Sequence, residues 1–121
     1  MELPDFYRRV ATRLGILPVG ATVSADDAEV IREAYVGLVA ELSEHMIAMW
    51  DADDPVPEPH SEPLIAMVAA KVADDFGITD PRRAQLVMDG AFGLPVASIA
   101  ERRLRALTRL GPTDDAVAEY L

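Results

Sequence analysis

Apolar residues recur every three or four positions along most of the chain, a spacing that indicates helices. In the first such segment, residues 4–14, Phe6, Val10 and Leu14 fall on one face of a helix with about 3.6 residues per turn. No stretch alternates apolar and polar residues for long, and β-branched residues do not cluster between turn signals, so no strand is predicted. The pattern therefore favours an all-α protein.

The longest predicted helix runs from Ser24 to about Trp50. Ser24 with Asp27 forms a weak version of the capping box that starts helices. Trp50 closes the apolar stripe, and we expect it to pack against the next long helix, where its indole N–H would need an acceptor. The residues of this stripe, which we expect to face the core, are Ile31, Tyr35, Leu38, Leu42, Met46 and Met49.

Prolines separate this helix from the rest of the chain. Residues 51–61 contain Pro55, Pro57 and Pro59, and each proline removes a backbone donor and restricts the residue before it. We therefore expect an exposed, acidic, irregular connector. The helix predicted next, over residues 62–76, is apolar on most sides, which is typical of a helix at the centre of a bundle.

Two shorter helices are predicted in the last third of the chain. The first starts at Asp80-Pro81, an N-cap followed by proline, and ends near Gly90. The second has Pro95 in its first turn and ends near Leu110. The residues predicted to face inward are Ala84, Val87 and Met88 on the first helix, and Ala97, Ala100, Leu104 and Leu107 on the second.

These elements predict a small bundle of four to five helices with a long second helix over residues 1–111, followed by an extended C-terminal arm over residues 112–121. A length of 121 residues suits one domain with a real core. The sequence holds no cysteine, which excludes disulfides and Cys-ligated metals. Glycine and proline interrupt its longest uncharged runs, so we expect no membrane span. The N-terminus has acidic residues first and basic residues within a helical pattern, the opposite order to that of a signal peptide, so we expect the protein to stay in the cytoplasm.

Charge is distributed unevenly along the sequence. The formal net charge is −10. Residues 26–75 carry a net charge of −11, whereas residues 76–110 carry a net charge of +3. This acidic balance argues against a free-standing protein that reads DNA sequence, because such proteins are usually basic.

The basic residues of the last third offer two interpretations. Arg102, Arg105 and Arg109 share one ridge of the last predicted helix, either as a solvated face or as a surface that meets the acidic half of another subunit. Arg82 and Arg83 lie in the first turn of a helix, where the dipole disfavours cations, so an acidic neighbour should compensate them. We assign these five arginines to a subunit interface.

The sequence lacks the convergent groups that catalysis or metal binding requires. Glu41 and His45 are spaced to share a metal, but no second pair of this kind exists in the sequence. Asp51 and Asp53 resemble the start of a calcium loop, yet the position that needs glycine holds Val56. We therefore expect no enzyme, no metal and no cofactor.

The layout as a whole resembles that of the head-to-tail adaptor proteins of tailed bacteriophages, in particular the tail accessory factors of short-tailed phages. An N-terminal helix ends in Arg13-Leu14-Gly15 and is followed by the hydrophobic loop 16–20. Ser24–Ala28 opens a long helix that ends in Met49-Trp50. An acidic, proline-bearing connector then leads to the alanine-rich helix Leu64–Phe76, closed by Gly77. The resemblance covers about residues 5–110.

This resemblance implies a structural virion protein at the neck of the particle, assembled in the host cytoplasm. Its copies would form a ring, commonly of twelve subunits, under the portal protein, extend the DNA channel and join the capsid to tail or stopper proteins. DNA would pass through without sequence-specific binding. The arm, with Val117, Tyr120 and Leu121 as anchors, would contact the portal.

The acidic connector has a role in the same expectation. Asp51, Asp53, Asp54 and Glu58 would line the channel, where they repel phosphate and let DNA slide, or face a partner on the tail side. An alternative from another class is a small acidic cytoplasmic regulator that binds proteins, of the antitoxin or DNA-mimic type.

Overall fold

A computed structural model describes residues 1–18 and 20–109, apart from the side chain of Arg109, and these residues form five helices and no strand. The helices are α1 (Leu3–Leu14), α2 (Ala25–Glu44), α3 (Glu58–Val72), α4 (Arg82–Gly90) and α5 (Ile99–Arg109). The predicted small all-α bundle with a long second helix is confirmed. The predicted arm, residues 112–121, lies outside the described residues.

Helix α3 is the centre of the bundle, as its all-round apolar pattern predicts. It packs against each of the other four helices, and nine of its 15 residues are buried. Small residues allow close approach: a Cβ added at Gly90, the last residue of α4, would lie 2.1 Å from the carbonyl oxygen of Ala66. The backbones of α3 and α4 therefore touch at this point.

The predicted start of α3 is wrong, because the helix begins at Glu58 inside the supposed irregular connector. Pro59 occupies the first turn, where backbone N–H groups have no partner within the helix, so its missing donor loses nothing there. The hydroxyl of Ser61 donates to the carbonyl of Glu58 at 2.8 Å. Of the predicted connector, residues 51–57 lie outside a helix.

The predicted end of α2 is also wrong. The helix stops at Glu44, and Met46 takes a left-handed backbone conformation with φ of 58°. The amides of Ile47 and Ala48 donate to the carbonyl of Leu42, which caps the helix end. This turn changes the phase of the apolar stripe: Ile47 and Ala48 are buried, whereas Met46 and Met49, expected in the core, are 73% and 79% exposed.

Both short helices begin one or more residues later than predicted. α5 starts at Ile99, with the hydroxyl of Ser98 accepting from the amide of Glu101 at 3.2 Å, so Pro95 lies in the preceding loop. The inward face of α4 is formed by Leu86 and Gly90. The predictions that placed Ala84 and Met88 inward are wrong, whereas the burial predicted for Ala100 and Leu104 on α5 is confirmed.

An aromatic cluster joins α1, α2 and α3. The rings of Phe6 and Tyr35 lie 4.8 Å apart, and the indole N–H of Trp50 donates to the Tyr35 hydroxyl at 2.9 Å. The other side of Trp50 meets His60 of α3, with ring centroids 5.1 Å apart. The prediction that Trp50 packs against the next long helix and needs an acceptor is confirmed.

His60 should make the stability of this cluster depend on pH. Burial lowers the pKa of the half-buried His60 imidazole below its ordinary value of 6.5, and its Nδ1 has no hydrogen-bond partner among the described residues. Around pH 6.5 the unfolded chain therefore binds more protons at this histidine than the folded chain does. We expect the free energy of unfolding to fall between pH 7.5 and pH 5.5, about the interval over which an ordinary histidine becomes charged.

Urea unfolding at these two pH values checks this prediction. His60→Gln should flatten the loss of stability over the interval, because it removes the imidazole whose pKa burial lowers. Equal pH dependence in the parent and in His60→Gln would contradict the assignment.

Candidate interaction surfaces

The predicted arginine ridge of α5 divides into two parts. The Arg105 guanidinium pairs with Glu101 at 3.3 Å and lies 5.8 Å from the centroid of the Phe92 ring, so it is engaged within its own chain. Arg102 and the neighbouring Arg103 are exposed, and no described residue forms an ion pair with either of them. The side chain of Arg109 lies outside the described residues. Among the described side chains, Arg102 of the ridge and the adjacent Arg103 are therefore available to a partner.

The two arginines at the start of α4 find compensation inside the chain. Arg83 holds Asp74 through two hydrogen bonds, of 2.5 and 3.2 Å, and this contact lowers the pKa of the Asp74 carboxyl. Arg82 donates to the backbone carbonyl of Arg13. The acidic neighbour expected for Arg83 is thus an intramolecular one, and the subunit contact of both residues stays a prediction.

Glu101 organises the loop between α4 and α5. Although it is charged, it is buried, and its carboxylate accepts from the amide of Gly93 at 2.9 Å as well as from Arg105. The four residues from Ser98 to Glu101 have the serine and glutamate spacing of a capping box. This signal locates the start of α5 correctly, whereas Pro95 alone places it too early.

The loop held by Glu101 presents apolar side chains to solvent. Leu94, Val96 and Ile99 are all exposed, Val96 and Ile99 to 81% and 53%. Ile99 precedes Arg102 and Arg103 by three and four residues, so these three side chains share one face of α5. We call the set Leu94, Val96, Ile99, Arg102 and Arg103 the α5 surface.

A second exposed surface, against which no described helix packs closely, runs along α2. This helix packs against α1 and α3, and its opposite side is exposed from Asp26 onward. Acidic residues flank a short segment of small and apolar residues at its middle. We call the set Glu33, Val36, Gly37, Ala40 and Glu44 the α2 stripe, and all five are exposed.

The predicted acidic connector is exposed but not uniform. Asp51, Asp53 and Asp54 point outward, and none of them pairs with a basic group among the described residues. Glu58 belongs to α3 instead and bridges the amino group of Met1 at 2.8 Å. The three aspartates therefore form the exposed acidic segment that the sequence predicts.

The histidines and acids do not come together as a metal centre. The ring of His45 packs edge-on against Phe92 at 5.2 Å, and Glu41 pairs with Lys71 at 3.5 Å. Across the described residues, no three histidine or acidic side chains cluster in a way that could hold a metal ion. Nor does that part of the chain include a helix with the length and apolar character that crossing a bilayer requires.

The remaining predicted site residues are Val117, Tyr120 and Leu121, the portal-binding anchors, and they lie outside the described residues. Comparison with known proteins identifies no relative: no family, no curated protein and no solved structure matches the chain. The candidate surfaces therefore have to be judged on their own geometry and chemistry.

Replacing Glu101 should loosen the α5 surface. Glu101→Ala leaves the Gly93 amide without an acceptor and Arg105 without a partner, and we expect a loss of about 1–3 kcal/mol. Glu101→Gln keeps an acceptor for the amide and should lose less. Urea unfolding gives the loss, and hydrogen exchange should show faster exchange at the Gly93 amide in the alanine variant. Equal effects of the two substitutions would contradict the role assigned to the amide contact.

Proposed function

We propose that this chain is a head-to-tail adaptor of a tailed bacteriophage, a virion protein whose copies form a ring under the portal and join the capsid to the tail. The observation that carries the proposal is the order of elements on which the resemblance rests. α1 ends at Gly15 in a left-handed conformation, Ser24 caps the long α2, and the alanine-containing α3 occupies the core. The supporting pattern thus coincides with the observed helix boundaries at Gly15 and Ser24. It differs at the other boundaries, since α2 ends at Glu44 and not at Trp50, and α3 spans Glu58–Val72 and not Leu64–Phe76.

The surface chemistry is compatible with DNA passing by the protein without being held. Many basic side chains are bridged by acidic groups of the same chain and are not collected in a basic stripe. The basic members of these bridges are Arg8, Arg13, Arg32, Lys71, Arg83 and Arg105. Since attraction to phosphate is what makes DNA binding strong, an acidic lining favours sliding.

In this proposal each predicted surface contacts a different partner. Asp51, Asp53 and Asp54 face the channel or a tail-side protein, and the arginines of α4 and α5 serve contacts between subunits. The arm, residues 112–121, contacts the portal through its apolar anchors, since aromatic and large apolar side chains often dominate such contacts.

Mass photometry with purified portal rings of the same virus tests the proposal. We expect the free chain to be mostly monomeric and the portal ring to gain a discrete mass that corresponds to a full set of copies. A portal whose mass stays unchanged, together with a chain that remains a stable dimer, would contradict the adaptor function.

The exposed aspartates of the connector favour one second candidate, an acidic regulator that binds a basic protein. Asp51, Asp53 and Asp54 lie close together in sequence and have no intramolecular ion partner among the described residues. A regulator of this kind would ignore the portal in the same experiment, so that outcome separates the two candidates.

A further inference from the structure

Two exposed helix faces of this chain are complementary in charge and in apolar content. The α2 stripe has Val36 and Ala40 at its middle and Glu33 beside them, all exposed. The α5 surface has Val96 and Ile99 at one end and two arginines at the other. Each face therefore combines an apolar part with charge of one sign, and the signs are opposite.

The charged residues of both faces are available to a partner. Among the described residues no ion pair involves Glu33, Arg102 or Arg103, although ion pairs are frequent elsewhere on the chain. By contrast, the neighbouring Glu29 is held by Arg32 at 2.9 Å and is already satisfied. Opposite charges on two such faces steer encounter and fix register.

We propose that the α2 stripe of one copy docks on the α5 surface of a second copy, with the two helices antiparallel. In this register Val36 lies against Ile99, Ala40 lies against Val96, and Glu33 meets Arg102 and Arg103. On α2, Glu33 lies three residues before Val36, and on α5, Arg102 and Arg103 lie three and four residues after Ile99, so one antiparallel register satisfies the apolar and the charged contact together. Val96 lies in the loop that leads into α5.

The occupant is a second copy because the two faces are different parts of the same chain. A contact between unlike surfaces leaves one free α2 stripe and one free α5 surface on each pair, so copies can add until the rotation closes a ring. The inference rests on the proposed function in one respect, since it assigns the contact between neighbouring subunits of the proposed ring. Its test needs no portal.

Disulfide cross-linking tests the register directly, because the natural sequence has no cysteine to interfere. Val36→Cys and Ile99→Cys are made in separate chains, one of them isotope-labelled, and the two are mixed and oxidised at high concentration. We expect the mixed 36–99 dimer to exceed both homodimers at least fivefold by intact mass spectrometry. Met49→Cys mixed with Val36→Cys is the matched control, since Met49 is more exposed than Ile99 and random collision would favour it.

Charge reversal in the same assay tests the polar half of the contact. Glu33→Arg in the Val36→Cys chain should reduce the 36–99 yield to the control level, and Arg102→Glu with Arg103→Glu in the Ile99→Cys chain should restore it. Arg8→Glu with Arg9→Glu, another adjacent pair of arginines, should give no restoration. Circular dichroism melting of each variant establishes that it is folded.

A 36–99 yield equal to that of the 36–49 control, or no restoration by the compensating reversals, would overturn this interface. These failures are distinguishable from failure of the proposed function. If the portal still gains a full set of copies, the adaptor function is supported and only the assigned subunit contact is contradicted. Specific cross-linking without any binding to the portal would support the interface and contradict the adaptor function.

Discussion

We expect Gly90→Ala to lower the free energy of unfolding by about 3 kcal/mol or more, since backbone overlap is worse than ordinary overpacking of a core. The added Cβ would lie 2.1 Å from the carbonyl oxygen of Ala66 and 2.5 Å from its carbonyl carbon. These are backbone atoms of the central helix, so no side chain can rotate away. The substitution must push α4 off α3, and urea unfolding by circular dichroism measures the loss.

Gly37→Ala is the matched control for this prediction. Gly37 lies inside α2, and apart from its chain neighbours and the backbone of its own helix, no described atom lies within 4 Å of a Cβ built there. Alanine favours the helix over glycine, so this variant should gain about 0.5–1 kcal/mol. If both substitutions changed stability by the same amount and sign, the close approach of α3 and α4 would not be what requires glycine at position 90.

Deleting residues 112–121 should abolish binding to the portal and leave the fold intact. The arm supplies the apolar anchors that the proposed function assigns to the portal contact, whereas the buried core of the described residues is formed by residues up to Leu104. We expect no detectable mass gain by portal rings at concentrations where the full chain saturates them. The melting temperature should stay close to that of the full chain.

Substitution in the full-length chain separates the role of the anchors from that of chain length. Val117→Ser, Tyr120→Ser and Leu121→Ser together should weaken portal binding about as much as the deletion does, because truncating clustered apolar anchors removes most of the binding energy. Replacing Asp114 and Asp115 by Asn should have a smaller effect. Portal binding unchanged by the deletion would contradict the assignment of the arm.

The class of the fold could be predicted from the sequence because apolar periodicity is local information. The stripe of α1 and the all-round apolar character of α3 follow directly from spacing, and both are confirmed. The start of α3 could not be located this way. A cluster of prolines predicts an irregular segment, but in the first turn of a helix a proline such as Pro59 removes only a donor that has no partner there. The helix therefore begins at Glu58, before the predicted start.

Helix ends depend on contacts that spacing does not reveal. At the end of α2, Met46 adopts a left-handed conformation although it is not glycine, and the amides of Ile47 and Ala48 then reach the carbonyl of Leu42. The residue types around position 46 do not predict this turn. The exposed Met46 and Met49, expected in the core, follow from it.

The sequence predicts the sign of the charge on the candidate surfaces but not which charged side chains are available to a partner. Counting charges identified an acidic middle and a basic last third, yet which charges remain available depends on tertiary neighbours. Arg83 is held by Asp74 nine residues earlier, and Arg105 by the buried Glu101, whereas Arg102 and Arg103 stay exposed. The apolar part of the α5 surface escaped prediction because the loop before Ile99 was assigned to a helix.

The central claim is that copies of this chain form a ring on a portal, and a cryo-EM reconstruction of the portal mixed with the full-length chain tests it most directly. We predict a ring coaxial with the portal, in which each subunit fits the five-helix bundle and the connector aspartates face the channel or the tail side. A reconstruction of the bare portal, obtained with the chain in large excess, would contradict the account.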